Sequence, residues 1–124
     1  MSNNRKVLIV DDDDEIRALI DLVLRTEGFD TLTAKNGKEA VLKTREWGPE
    51  VILMDLMMPI MDGYHASTEI TNDATLKVKP KIIIVTSRDI QAESKLMEYS
   101  GACFAISKPF NTAELVKTVK EALG

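Results

Sequence analysis

Four short stretches of this chain end in residues that could do chemistry together. Val7, Leu8, Ile9 and Val10 run into five consecutive acids, Asp11, Asp12, Asp13, Asp14 and Glu15. Val51, Ile52, Leu53 and Met54 run into Asp55; the isoleucine-rich run 81–85 ends at Thr86 and Ser87; and a fourth run, 103–106, leads to Ser107, Lys108 and Pro109. Carboxylates packed this tightly repel one another unless a cation lies among them. Mg²⁺ is a hard cation that takes oxygen ligands, commonly one or two carboxylates together with phosphate oxygens and water. With a metal holding the acids, Asp55 can serve as a carboxylate nucleophile toward phosphorus and form an aspartyl phosphate. A hydroxyl from Thr86 and an ammonium from Lys108 would neutralise charge developing on the phosphoryl oxygens.

The elements that must position these groups alternate regularly. Residues 7–10 form a continuous, β-branched run suited to a strand covered on both faces. Ile16, Leu19, Ile20, Val23 and Leu24 recur at helical spacing, and Gly28 closes that helix. Residues 31–33 read as a second strand. After the Asn36-Gly37 turn, residues 38–47 read as a helix with Ala40 and Val41 inward, stopped at Gly48-Pro49. Residues 51–54 are a third buried strand, followed by a Met-, Pro- and Gly-rich loop over 57–63 and a helix over 64–72. A fourth strand spans 81–85, a helix 90–99, a fifth strand 103–106 and a last helix 112–123, with Thr112 read as its N-cap. Alternating strands and helices with right-handed crossovers give a parallel sheet with helices on both faces. Five such pairs suit the flavodoxin-like, doubly wound α/β order 2-1-3-4-5, in which ligands bind beyond the carboxyl ends of the strands at the switch point between strands one and three. Asp11, Asp12, Asp55, Thr86 and Lys108 all fall on that edge.

Composition narrows the function classes. The chain has 124 residues, 44% hydrophobic and 29% charged, and reads as one domain over 1–124 able to bury its own core, with no effector domain. A net charge of −4 is the wrong sign for a direct nucleic-acid binder. The single cysteine, Cys103, cannot form an internal disulfide, and without a signal peptide or a membrane-length apolar run a cytoplasmic location is expected.

The segments 7–12, 55–59 through Met61-Asp62-Gly63, Thr86-Ser87 and Lys108-Pro109-Phe110 together resemble a receiver domain of the two-component response-regulator family. The resemblance spans essentially the whole chain, in order and at the usual intervals. It implies that Asp55 is the phosphoacceptor and that Asp11, Asp12 and Asp55 hold Mg²⁺, with Mn²⁺ able to stand in and the backbone carbonyl of Met57 as a further ligand. It also implies a switch role for Thr86, a phosphoryl contact for Lys108, and a cis Lys108-Pro109 peptide. The implied donor is a sensor histidine kinase or a histidine phosphotransfer protein, and the implied output is a downstream protein bound at the face of the fourth helix, fifth strand and fifth helix. Such a domain is a signalling phosphoacceptor with self-catalysed phosphorylation and slow autodephosphorylation only, rather than an enzyme. Met57 and Arg88, each two residues past a site residue, flank the expected water path and are assigned a part in phosphate lifetime.

One position departs from the family pattern. Three residues before the lysine, where an aromatic ring commonly turns inward, this chain has Ala105, and Phe104 on a strand faces the other side. Signalling then needs another carrier, such as motion of the loop over 86–90. The alternative is a degenerate receiver, a scaffold that binds partners without phosphorylation. A phosphohydrolase of similar parts would want a second general acid where Met57 stands, and a flavin module would be repelled by the acids at 11–15.

Plainer readings cover the remaining conspicuous residues. Asp13, Asp14 and Glu15 suit the first turn of a helix, whose dipole favours acids by about 0.3–1 kcal/mol. His65 is read as a solvated or half-buried structural residue, Cys103 as a small hydrophobe packed at the start of strand five, and Trp47 as helix-end packing. Met54 belongs to the core, with Met57, Met58 and Met61 lining the site loop.

Overall fold

The computed structural model describes residues 5–124. Its five strands are β1 (Lys6–Val10), β2 (Asp30–Ala34), β3 (Val51–Asp55), β4 (Lys81–Thr86) and β5 (Phe104–Ser107). They alternate with α1 (Asp14–Thr26), α2 (Gly37–Trp47), α3 (Gly63–Thr71), α4 (Ser94–Tyr99) and α5 (Thr112–Leu123). All strand pairs are parallel and the order is β2-β1-β3-β4-β5, the flavodoxin-like arrangement the alternation predicts.

Strand periodicity divides the core into two layers. Val7, Ile9, Val51, Leu53, Ile83, Val85 and Ile106 point to one face, where Ile20 and Leu24 of α1 and Leu115 and Val119 of α5 cover them. Leu8, Val10, Ile52, Met54, Ile82 and Ile84 point to the other, under Ala40 and Val41 of α2, Ala66 and Ile70 of α3 and Met97 of α4. Every residue of β3 is buried. Each such side chain withdrawn from water contributes about 1.5–3 kcal/mol, so β1 and β3 form the rigid floor on which the acids stand.

Local chemistry sets the helix ends. Asp13 caps α1, accepting from the N–H of Glu15 and of Ile16, which leaves Asp14 and Glu15 in the first turn. Gly28, at φ 92°, follows the last turn of that helix. Asn36 caps α2, Asp62 caps α3, and Gly48 ends α2 in the left-handed region at φ 70°. Trp47 is the last residue of α2 and packs against the second core layer, while Lys6 Nζ lies 5.4 Å from its ring centroid.

Three expectations need correction. The cap of α5 is Asn111, whose side chain accepts from Glu114 N–H, and Thr112 is the first helical residue. The helix expected over 90–99 begins only at Ser94, because the Asp89 side chain captures the N–H of Gln91 at 2.9 Å and bends the chain into a turn. Cys103 is exposed rather than packed: it directly precedes β5, which is an edge strand of the sheet. The helix expected at 38–47 ends where expected but begins one residue earlier, at Gly37, and that expected at 64–72 is shifted by one residue to Gly63–Thr71. No helix among the described residues is long and apolar enough to cross a membrane.

Candidate functional site

The polar residues at the strand ends converge. Asp11 follows β1, Asp55 ends β3, Thr86 ends β4 and Lys108 follows β5. One carboxylate oxygen from each of Asp11, Asp12 and Asp55 can be chosen so that the three lie within 4.8 Å of one another. Asp11 and Asp55 are buried, whereas Asp12 faces solvent. Lys108 Nζ lies 2.8 Å from Asp11 Oδ2 and 3.4 Å from Asp55 Oδ1, bridging two of the three acids. The second oxygen of Asp11 accepts the Asp13 N–H at 2.9 Å, and Arg17 donates to the Asp11 carbonyl at 2.8 Å, so the first acid is held from both ends.

Electrostatics reflect the crowding. Burial, then the neighbouring charge of Asp11, pushes the Asp55 carboxyl up from 3.8 to about 6 despite the opposing pull of Lys108. Desolvation acts to lower the Lys108 ammonium, but the hydrogen bond to Asp11 and the charges of Asp55 and Asp11 prevail and raise it above its ordinary value. One ammonium thus only partly compensates three carboxylates. A closely spaced all-oxygen donor set with excess negative charge fits a hard divalent cation.

Thr86 is buried, and its Oγ1 accepts the Arg88 N–H at 3.0 Å. The Lys108-Pro109 peptide is cis, as the resemblance implies. Met57 is largely exposed, with its sulfur 3.5 Å from Arg88 Nη1. The loop between β3 and α3 is tied down by backbone contacts: Gly63 N–H donates to Leu56 O at 2.9 Å and Gly37 N–H to Met61 O at 3.0 Å. A Cβ on Gly63 would fall 2.1 Å from the Asp55 carbonyl oxygen, so the backbone beneath this acid tolerates no side chain there.

His65 stays outside the cluster, with an exposed ring whose Nδ1 lies 2.9 Å from Asp62 Oδ2. Phe104 packs with the α1/α5 layer and Ala105 with the α4 layer, so the ring does not take the place of the absent aromatic. Sequence reasoning missed Glu93 and Tyr64. Glu93 Oε1 pairs with Arg88 Nε at 2.7 Å, and Glu93 Oε2 accepts the Tyr64 hydroxyl at 2.6 Å. Neither separation matches a helix or strand period, so no pattern along the chain announces the contact.

Comparison with known proteins agrees with this geometry. The response regulator receiver domain family matches residues 7–120. A putative response regulator from Chloroflexus aurantiacus is 33% identical over 98% of each chain, with a TM-score of 0.88. The chemotaxis protein CheY4 of Vibrio cholerae is 29% identical over 96% of this chain and 98% of its own, with a TM-score of 0.89. The receiver domain of the Pseudomonas aeruginosa sensor histidine kinase PA1611, which carries a magnesium ion in its active-site cleft, is 27% identical over 98% of each chain, with a TM-score of 0.87. With fold, strand order and family match in agreement, the chain belongs to the response regulator receiver domain family.

Proposed function

We propose that this protein is a Mg²⁺-dependent phosphoacceptor in which Asp55 receives a phosphoryl group and partner affinity changes as a result. The observation that carries the reading is the convergence of Lys108 on Asp11 at 2.8 Å and on Asp55 at 3.4 Å, beside a third acid, at the sheet's switch point. Asp11, Asp12 and Asp55, with the Met57 carbonyl, would hold the cation, Mn²⁺ serving in place of Mg²⁺. When bound, the ion supplies positive charge for the phosphoryl oxygens and removes the repulsion between the acids.

The side chains divide the remaining work. An Asp55 oxygen attacks phosphorus of a phosphohistidine on a sensor histidine kinase or a phosphotransfer protein. The new O–P bond forms as the P–N bond breaks, and the imidazole leaves with the electron pair and takes up a proton. Lys108 follows the charge from carboxylate to phosphoryl oxygen, and the Thr86 hydroxyl donates to another oxygen. Attack of water on phosphorus later returns the Asp55 carboxylate and inorganic phosphate, past Met57 and Arg88 at the mouth. The phosphoryl group adds about −1.5 to −2 charges, a differential interaction able to shift a two-state equilibrium. The downstream protein binds the α4-β5-α5 face, and the whole exchange takes place in the cytoplasm.

Incubation with Mg²⁺ and acetyl phosphate, followed by intact mass measurement, tests the reading. One phosphoryl group appears on the wild type and none on Asp55→Ala; an unlabelled wild type, or equal labelling of the variant, refutes it. One observation favours a second reading, the phosphorylation-independent scaffold: Ala105 leaves the α4-facing side of β5 without a ring to relay the state of the site. A partner that binds equally well with and without phosphate on Asp55 would support the scaffold.

A further inference from the structure

Arg88 joins the acidic site to the helix layer. Its N–H is bonded to Thr86, and its guanidinium reaches Met57, two residues past Asp55, so the side chain spans the mouth of the site. The same guanidinium holds Glu93 at 2.7 Å. Glu93 directly precedes α4 yet makes no side-chain cap hydrogen bond there; its other oxygen accepts from Tyr64 in the first turn of α3. The Glu93 side chain is only 11% exposed, against 50% for Arg88. Burial, and then the hydrogen bond to Glu93, holds the Tyr64 phenol well above its ordinary pKa. The Glu93 carboxylate therefore ties the start of α4 to the first turn of α3, while the Thr71 hydroxyl holds the far end by donating to Ser100 O, and the cation of Glu93 comes from the turn that follows Thr86.

We propose that Arg88 is exchanged between two anions, Glu93 in the resting protein and the phosphoryl group once Asp55 is modified, and that its departure opens the α3–α4 seam. The inference rests on the phosphoacceptor reading above. A guanidinium matches the fork of a phosphoryl group at least as well as that of a carboxylate, and the phosphoryl group brings more charge than Glu93. Once Arg88 leaves, Glu93 is an uncompensated and nearly buried charge, which is strongly unfavourable. Glu93 must then turn toward water, releasing Tyr64. The element that yields is α4, six residues long and far below the length at which a helix holds on its own. Charge exchange thereby carries the signal that Ala105 cannot carry by ring rotation.

The test is hydrogen exchange of the full chain with Mg²⁺, with and without acetyl phosphate, each sample checked by intact mass. In the phosphorylated wild type, amides over 93–99 exchange about tenfold faster than at rest, the factor set by a ~1.4 kcal/mol change in local opening. Arg88→Ala, Glu93→Gln and Tyr64→Phe exchange fast in this segment already at rest, and phosphate on Asp55 adds no further increment. A merely structural network would raise the resting rate but leave the increment intact, so the increment decides. A phosphorylated wild type with unchanged exchange over 93–99, or a full increment in Arg88→Ala, overturns the exchange while sparing the phosphoacceptor reading. A wild type that takes no phosphate overturns both.

Discussion

Asp55→Asn should stabilise the metal-free protein at neutral pH. In the native state the Asp55 carboxyl titrates near 6 instead of 3.8, because it is buried and faces the charge of Asp11. Between those two values the folded protein binds a proton that the unfolded chain has lost. The stability associated with that proton is fully present below the unfolded value and disappears as pH rises through about 6. At ~1.36 kcal/mol per pH unit the difference comes to about 3 kcal/mol at pH 7, equivalent to roughly 10 °C in melting temperature for a domain of this size. The Asn variant is free of the penalty at every pH. Thermal and urea melts of both proteins in EDTA between about pH 4 and pH 8 should therefore give curves that meet near pH 4, diverge up to about pH 6 and run parallel above it, with the variant more stable. Saturating Mg²⁺ should narrow the gap by stabilising the wild type through mass action. A variant no more stable than the wild type at pH 7, or an advantage that persists undiminished at pH 4, would refute the reasoning.

Lys108→Ala removes the cation shared by Asp11 and Asp55; we expect a loss of about 3 kcal/mol in EDTA, a tighter Mg²⁺ midpoint by calorimetry, and phosphorylation by acetyl phosphate slowed by about 100-fold or more. Gly63→Ala forces a methyl group against the Asp55 carbonyl and should cost about 3 kcal/mol or more in urea melts. Gly48→Ala, with open space around it and only its φ of 70° to strain, should cost about 1 kcal/mol. Mg²⁺ titration should leave Trp47 emission unchanged, because its carbonyl accepts from Lys6 at the start of β1, a full strand of roughly 16 Å from Asp11.

The strands β1, β3 and β4 were legible because each is built on a continuous apolar run closed by a polar residue, and that closure is also what marks Asp11, Asp55 and Thr86; β2, with the sequence Asp-Thr-Leu-Thr-Ala, has no such run. The site could be read as far as it is built from strand ends, whose common edge follows from parallel topology alone. The fourth helix was less legible. Ile90 looks like a helical apolar position, but Asp89 satisfies the local N–H groups in a turn, and Glu93 is pulled sideways by Arg88 and Tyr64. Those contacts link three separate elements and depend on where the elements pack, a quantity absent from any window of sequence. Cys103 failed for a related reason: its type suggests burial, while it sits just before a strand at the edge of the sheet, a place that only the topology fixes.

The site has a fixed half and a yielding half, and the difference follows from what surrounds each. Asp11 and Asp55 rise from β1 and β3, whose residues are almost all buried between two helix layers. Thr86 and Arg88 belong to a strand end and a turn that lead into the shortest helix of the fold. A charge placed on Asp55 therefore cannot be relieved by moving the acids apart, since that would unpack the centre of the sheet. Relief has to come from the side where few apolar contacts are at stake, through Thr86, Arg88 and the groups they hold. The five-acid run looked like one feature in the sequence, yet only Asp11 and Asp12 face this problem; Asp13 to Glu15 cap and begin α1. The repulsion within the cluster is thus concentrated where the backbone cannot yield, which makes the occupancy of the site, by cation or by phosphoryl group, the variable to which the yielding half must respond.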